Sequence, residues 1–431
     1  MNPSSGRSIA VVGSGVAGLV AAHLLADRHR VILFEADTRL GGHAHTHTVS
    51  MPDGDVLSVD SGFIVHNHRT YPTLQQVFSD LGIQTLDTDM SMSIRNDVTG
   101  LEYAGGAGFG GLFPTPRILT RGRYLAMLAE VLRFHREARR LLATPDSDEP
   151  LSEFIVRNRF SGFFTENFLL PLVASVWSCD ERSAAAYPAR HLFTFLDHHG
   201  MLSVLGSPRW RTVVGGSRTY VDRIADRVRG SGGAVHVDSP VRSVSSDGTG
   251  VRLCVGSTTV DADAVVVATH PHQALDLLAA PTDTQRRVLS RIPYSAKDAV
   301  LHTDTSLLPR ARRARASWNH QVRADGSDVA VTYDLTRLMR LPTRHPRMLV
   351  TLGRTDLVEE STILAEMRYE HPLYTTDSVA AQALLPDLNT DTIVFAGAYH
   401  GWGFHEDGAL SGARAAAALG ATSPRIAGIS A

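Results

Sequence analysis

Three groups of residues in this chain have the types and spacing to do chemistry. Gly13, Gly15 and Gly18 form GxGxxG, and Glu35 follows 17 residues after the last glycine. The first glycine permits a tight turn, the second lets a pyrophosphate approach the backbone, and the third allows close helix–strand packing. The helix that follows points free N–H groups and its positive dipole end at the phosphate. A carboxylate at Glu35 is placed to accept ribose hydroxyls, so the group reads as a dinucleotide seat. The second group is His405-Glu406-Asp407. These side chains can handle a substrate proton or position a cofactor, or, more plainly, cap a helix. The third group is His43, His45 and His47, whose alternation puts three imidazoles on one face of a strand. Because they directly follow Gly41-Gly42, they are expected to wrap a cofactor, and no metal site is expected.

The elements that must position these residues can be read from the hydrophobic pattern. SIAVV (8–12), the glycine turn, LVAAHLLADR with helical spacing, and RVILFEAD make strand, turn, helix, strand. That is a βαβ unit and implies a parallel sheet. Similar buried strands recur near residues 266 and 395, and further strands are expected at 212–216, 234–237, 293–304 and 329–333. Helices are predicted at 71–82, entered through Tyr71-Pro72, and at 117–143. AGGAGFGG (104–111) reads as a flexible loop, and ATPDSDEP (143–150) as a polar break. Sheet strands this far apart in sequence imply an inserted second domain. The fold class expected is α/β, a Rossmann-type dinucleotide-binding domain with an inserted α+β substrate domain. Residues 1–75, 211–270 and 391–431 are assigned to the first, and 76–210 and 271–390 to the second.

Three further motifs carry a family resemblance. Arg39-Leu40-Gly41-Gly42 lies just beyond Glu35, Val213-Val214-Gly215-Gly216 lies mid-chain, and FAGAYHGWGFHEDGALSGARAA lies near the end. Together they resemble the flavin-containing amine oxidase and phytoene desaturase superfamily, and the resemblance spans the chain. A closer resemblance, through GGHAHT, VDSGFIVHN, RTYPTL, MSMSIR, YEHPLY and GFHEDG, is to a bacterial subgroup labelled predicted NAD/FAD-binding proteins. That subgroup is associated with cyclopropane-fatty-acid-synthase-like lipid methyltransferases, and some relatives are flavin desaturases acting on methylated acyl chains. The resemblance implies FAD held by Gly13, Gly15, Gly18, Glu35, Arg39, Gly41, Gly42, His43, Val241, Gly397, Glu406, Asp407 and Gly408. Here Gly397 is followed by Ala398 where the superfamily carries an acid, so Glu406 or Asp407 would have to substitute. Non-covalent FAD is expected because neither Cys179 nor Cys254 lies in the C-terminal motif. Lys297, the only lysine, resembles the strand lysine that amine oxidases place at flavin N5, about two residues out of register. With His405 and Glu406 it completes the catalytic candidates.

The function expected is an FAD-dependent oxidoreductase that desaturates or otherwise oxidises an apolar, fatty-acyl or lipid substrate. Alternatives are an amine oxidase, a flavin-dependent double-bond isomerase, or a non-catalytic flavoprotein beside a lipid methyltransferase. Phe160, Phe163, Phe164, Phe168, Trp177, Phe193 and Phe195 either line an apolar tunnel or form ordinary core. Arg133, Arg136 and Arg140, near Leu125, Leu128 and Leu132, read either as a face for an anionic membrane or as a solvated helix face. A second GxGxxG is missing, which argues against a nicotinamide-driven reductase.

Composition removes other classes. With 42 basic against 44 acidic residues there is no global field for nucleic acid. Two cysteines exclude a disulfide framework, and a reducing, cytoplasmic location, membrane-associated at most, is expected. No stretch of about 20 apolar residues reads as a membrane span, and the first residues do not read as a secretory leader.

Overall fold

The computed structural model describes residues 6–144, 149–177, 179–203, 206–323 and 330–421. Residues 145–148 of the polar break at 143–150 lie outside them. Five strands form a parallel sheet in the order Ala234–His236, Arg30–Phe34, Ser8–Val12, Ala264–Val267, Ile393–Phe395. Its central strand shows why the run is apolar throughout. Ile9 and Val11 enter the core on one face while Ala10 and Val12 enter the core on the other. Parallel sheets covered on both faces read as continuous apolar runs for this reason.

Helices Val16–Leu25, Arg218–Gly230 and His405–Ala418 share the first of these cores. The first and last approach very closely. A Cβ on Gly412 would lie 2.1 Å from the Ala17 carbonyl oxygen, and one on Gly408 2.5 Å from a Val16 methyl. Over the other face lie a three-stranded antiparallel meander, Val241–Ser246, Val251–Val255 and Thr258–Ala262, and helices Pro271–Leu277 and Asp283–Leu289. Within 211–270, therefore, Ala234–His236 and Ala264–Val267 pair into the parallel sheet. Trp210–Val213 pairs instead with Val65–Asn67 and Thr85–Thr88.

A seven-stranded sheet carries Lys297. Its order is Ile363–Pro372, Tyr294–His302, Leu349–Leu352, Ala330–Asp334, Trp318–Val322, Met92–Asn96, Leu101–Gly105. Lys297 stands opposite Tyr369, and Ala296 opposite Glu370, in its longest antiparallel pairing. The helix expected at 71–82 is Pro72–Asp80, with proline in its first turn. The helix expected at 117–143 is Gly122–Ala143, preceded by a separate 3-10 turn at Pro116–Thr120.

One expectation is corrected. AGGAGFGG is not simply a loop, because Gly108–Leu112 is helical. A Cβ on Gly111 would come within 2.7 Å of the Ala107 methyl, so that glycine serves close packing. Of the two readings open for the aromatic residues of 160–195, Phe160, Phe164, Phe168 and Phe193 follow the core reading. The rings of Phe154, Phe160, Phe164, Phe168 and Phe193 all lie within 6.3 Å of the Phe134 ring, and they fill the space between themselves. This is core packing by edge-on and tilted ring contacts.

Candidate functional site

The glycine turn and the Arg39–Gly42 loop are tied together through one side chain. Ser14 donates its N–H (2.8 Å) and its hydroxyl (2.5 Å) to one oxygen of Glu35. The same hydroxyl accepts the N–H of Gly41 at 3.1 Å, and the Ser14 carbonyl accepts it as well. The other Glu35 oxygen accepts the Asp37 N–H. Glu35 thus organises the turn, and its remaining lone pairs are what it can offer a ribose. The Glu35 carbonyl accepts the Ser239 N–H at 2.8 Å, which brings the start of the Val241 strand beside the same strand end.

The glycines differ in what they protect. A Cβ on Gly18 would sit 1.9 Å from the Gly13 carbonyl oxygen, and one on Gly13 2.8 Å from the Ala268 carbonyl oxygen. Those two hold the fold. Gly15 has nothing within 4 Å of its missing Cβ and an ordinary backbone (φ −61°), while a Cβ on Gly42 would reach only the Gly15 Cα, at 3.2 Å. The open space at Gly15 is the cradle that a pyrophosphate fills, at the head of helix Val16–Leu25. This geometry fits the FAD expected from the sequence. Gly408 closes against Val16 from the C-terminal motif, so both ends of the chain meet at this cradle.

The rest of the C-terminal motif behaves differently from expectation. Glu406 accepts the N–H groups of Thr73 (2.8 Å) and Leu74 (3.0 Å), so it caps helix Pro72–Asp80. His405 is buried, stacks on Phe63 at 3.8 Å, and shares a 2.7 Å hydrogen bond with the Tyr220 hydroxyl. Asp407 accepts the Phe404 N–H at 2.9 Å and caps its own helix, and burial pushes its carboxyl up to about 7. Of the roles expected for this group, positioning is the one these contacts serve: Glu406 holds helix Pro72–Asp80 and His405 Nε2 is tied to Tyr220. Gly397 donates its N–H to Ser411, which fixes the turn before that helix.

The histidines gather on the Lys297 side. His43 lies 4.9 Å from the Tyr369 ring and 5.3 Å from His371. His45 bonds the Tyr369 hydroxyl (3.1 Å), which bonds Ser61 (2.7 Å), which bonds His47 (2.7 Å). His43, His45 and His47 are not brought into one coordination sphere among the described residues. Desolvation holds His43 well below its usual value, His45 at about 3, and His371 and His400 at about 4. Lys297 stands opposite Tyr369 on the neighbouring strand, so its side chain leaves the sheet on the face that Tyr369 and His371 share. The wall is therefore dry and built of neutral rings. Arg39 is half-exposed and faces Asp37 at 3.6 Å.

Sequence reading missed one cluster here. His270 and His272, just past strand Ala264–Val267, meet Glu370 from the seven-stranded sheet. The HxH pattern was visible in the sequence; its partner, 100 residues away, was not.

Two predictions follow from this geometry. Gly15→Val leaves the apo-protein folded, since no atom opposes the side chain, and abolishes dinucleotide binding; Gly18→Ala instead lowers thermal stability. Cofactor release on denaturation, read beside the thermal midpoint of each variant, checks both. His405 is held at about 3 by burial, against 6.5 unfolded. Below pH 6.5 the unfolded chain binds a proton that the folded chain refuses, so stability falls as pH drops through that window. At pH 4 this amounts to roughly 3 kcal/mol. His405→Gln makes the acid limb of a denaturation series shallower by one proton.

Comparison with known proteins agrees with this geometry. The model of the family described as flavin containing amine oxidoreductase matches residues 16–361. Among solved structures, cyclohexylamine oxidase from Brevibacterium oxydans IH-35A superimposes with a TM-score of 0.71 at 18% identity, covering 96% of this chain and 98% of that one. A CLA-producing fatty acid isomerase from P. acnes gives 0.67 at 14% identity, covering 96% and 98%. At these identities the likeness shows the fold. Matches to curated relatives are local. Carotenoid phi-ring synthase of Streptomyces griseus is 38% identical over 18% of this chain and 16% of its own length. Lysine-specific histone demethylase 1 of Schizosaccharomyces pombe is 29% identical over 20% of this chain and 10% of its own length. The chain thus spans only a small part of those curated relatives. With the family match covering most of the chain and the cradle fitting the cofactor, this protein belongs to the flavin containing amine oxidoreductase family.

Proposed function

We propose that the protein oxidises an apolar, fatty-acyl or lipid substrate, removing a hydride and a proton from neighbouring carbons to leave a double bond. Bound FAD supplies the two-electron hydride acceptor. The observation that carries this reading is a cavity of about 260 Å³ beside Trp402, lined also by Pro188, Arg190, His191, Thr194, Thr376, Val379 and Ala380. Trp402 and Phe404 of the C-terminal motif pack against Phe195, and Trp177 donates its indole N–H to the Trp402 carbonyl at 3.1 Å. Each methylene buried against such a wall is worth roughly 0.8 kcal/mol, so a chain is held without a charged anchor. The neutral histidine wall gives a cationic ammonium no counter-charge. A fold that serves both a cyclohexylamine oxidase and a fatty acid isomerase accommodates either substrate class.

One observation favours a second reading. Lys297 shares a sheet face with Tyr369 and His371, whose rings meet His43 of the cluster that follows Gly42. Mixing the yellow protein anaerobically with acyl-chain lipids and with primary amines separates the two. Loss of flavin absorbance with the lipids alone is expected. Bleaching by amines, abolished in Lys297→Met, would move the assignment to amine oxidation.

The substrate class also gives helix Gly122–Ala143 a role. Leu125 and Leu132 are exposed on it, with Phe109 (73% exposed) and Leu119 nearby in sequence, and Arg117, Arg123, Arg136 and Arg140 are also exposed. Arg133 turns inward instead, over the Phe160 ring at 4.2 Å and onto the Asn158 carbonyl. We read the exposed face as a contact for an anionic bilayer, from which an apolar substrate is drawn. Among the described residues no helix is long and apolar enough to cross a membrane. Sedimentation with phosphatidylglycerol vesicles should carry the protein down at low salt and not with neutral lipid. Leu132→Glu should weaken this by about tenfold or more, the value of one buried leucine.

A further inference from the structure

We propose that His270, His272 and Glu370 form a binding site for one divalent transition-metal ion of the zinc and cobalt type. The site lies between the crossover that follows strand Ala264–Val267 and the outer strand, Ile363–Pro372, of the seven-stranded sheet.

The geometry is close to a coordination sphere before any ion arrives. His270 Nδ1 lies 2.8 Å from Glu370 Oε2, and His272 Nε2 lies 3.8 Å from the same oxygen. The three ligand atoms all fall within 4.8 Å of one another. Ligands at about 2.1 Å from a tetrahedral ion are separated by about 3.4 Å, so small side-chain rotations suffice. Two imidazole nitrogens and one carboxylate oxygen suit zinc, cobalt or nickel better than magnesium or calcium, which prefer oxygen throughout.

The surroundings hold the ligands in place. Pro271 stands at the first helical position between the two histidines and fixes the backbone there. The His270 ring stacks on Tyr294 at 4.3 Å and 27°. His272 is half-exposed, so solvent reaches the site and a fourth position stays open to water. The ion would join residues 100 apart in sequence and clamp the dinucleotide-binding crossover to the Lys297 sheet.

The other histidine–carboxylate group among the described residues, Asp53, Asp55 and His345, is a poorer seat. Arg344 pairs with Asp55 there and brings its own positive charge.

The test uses full-length protein with its flavin, treated with chelator and then equilibrium-dialysed against Zn²⁺ or Co²⁺, with elemental analysis. One ion per chain is expected, together with a thermal midpoint that rises with metal concentration. Loss of an outer-shell partner typically costs 10–100-fold in affinity, and His272→Ala or Glu370→Gln should cost at least that. Asp53→Asn should change nothing. His272 is half-exposed, and unchanged flavin content and circular dichroism in its variant establish that it has folded. Wild type binding no more metal than His272→Ala, or binding that survives His272→Ala and is lost in Asp53→Asn, would overturn the assignment.

Discussion

The structure depends on how closely two stretches of backbone can approach at Ser14–Gly15 and Gly41–Gly42. Glu35 fixes the distance by drawing in Ser14, and Ser14 holds Gly41 through its hydroxyl and its carbonyl. A single carboxylate, with its charge satisfied by an N–H, a hydroxyl and the Asp37 N–H, therefore sets the width of the cofactor cradle. Charge-assisted hydrogen bonds of this kind are about twice as strong as neutral ones, which suits a bond that must hold a loop rather than a helix. Everything downstream inherits that register. The strand at Thr46–Ser50, the histidines before it and the capped helix at Pro72–Asp80 all follow from where Gly42 is placed.

A second constraint is burial. Apart from Glu35 and the Arg39–Asp37 pair, titratable groups near the cradle have their proton affinity set by desolvation. The imidazoles of His43, His371, His400 and His405 are all lowered by desolvation. Asp407 moves the opposite way, for the same reason. A water-poor wall of neutral rings costs stability in acid, because each ring must charge when the chain unfolds.

The sequence made some of this legible and hid the rest, for a physical reason that separates the two. Gly13, Gly15, Gly18 and Glu35 were readable because backbone geometry dictates those residue types within one βαβ unit. The same holds for the apolar run Ser8–Val12 and for Pro72 at the head of its helix. What stayed hidden depends on partners far along the chain. Glu406 is recruited by Thr73 and Leu74, 333 and 332 residues away, so nothing local marks it as a cap for another helix. Phe160, Phe164 and Phe193 read as tunnel lining or as core from their letters alone, and Phe134, packed among them, decides for core. Gly111 looked like loop because a glycine needed for close packing and one needed for freedom carry the same letter.

The same distinction bears on what sets the chemistry. Family membership fixes the cradle, and the cradle is built from backbone contacts that any substrate specificity would share. That backbone does not choose the substrate. Tyr369 stands opposite Lys297 on the outer strand of the seven-stranded sheet, and Tyr374, just past that strand, donates its hydroxyl to the Gly401 carbonyl at 2.8 Å. Strand Ile363–Pro372 and the segment after it therefore tie the Lys297 sheet to the C-terminal motif.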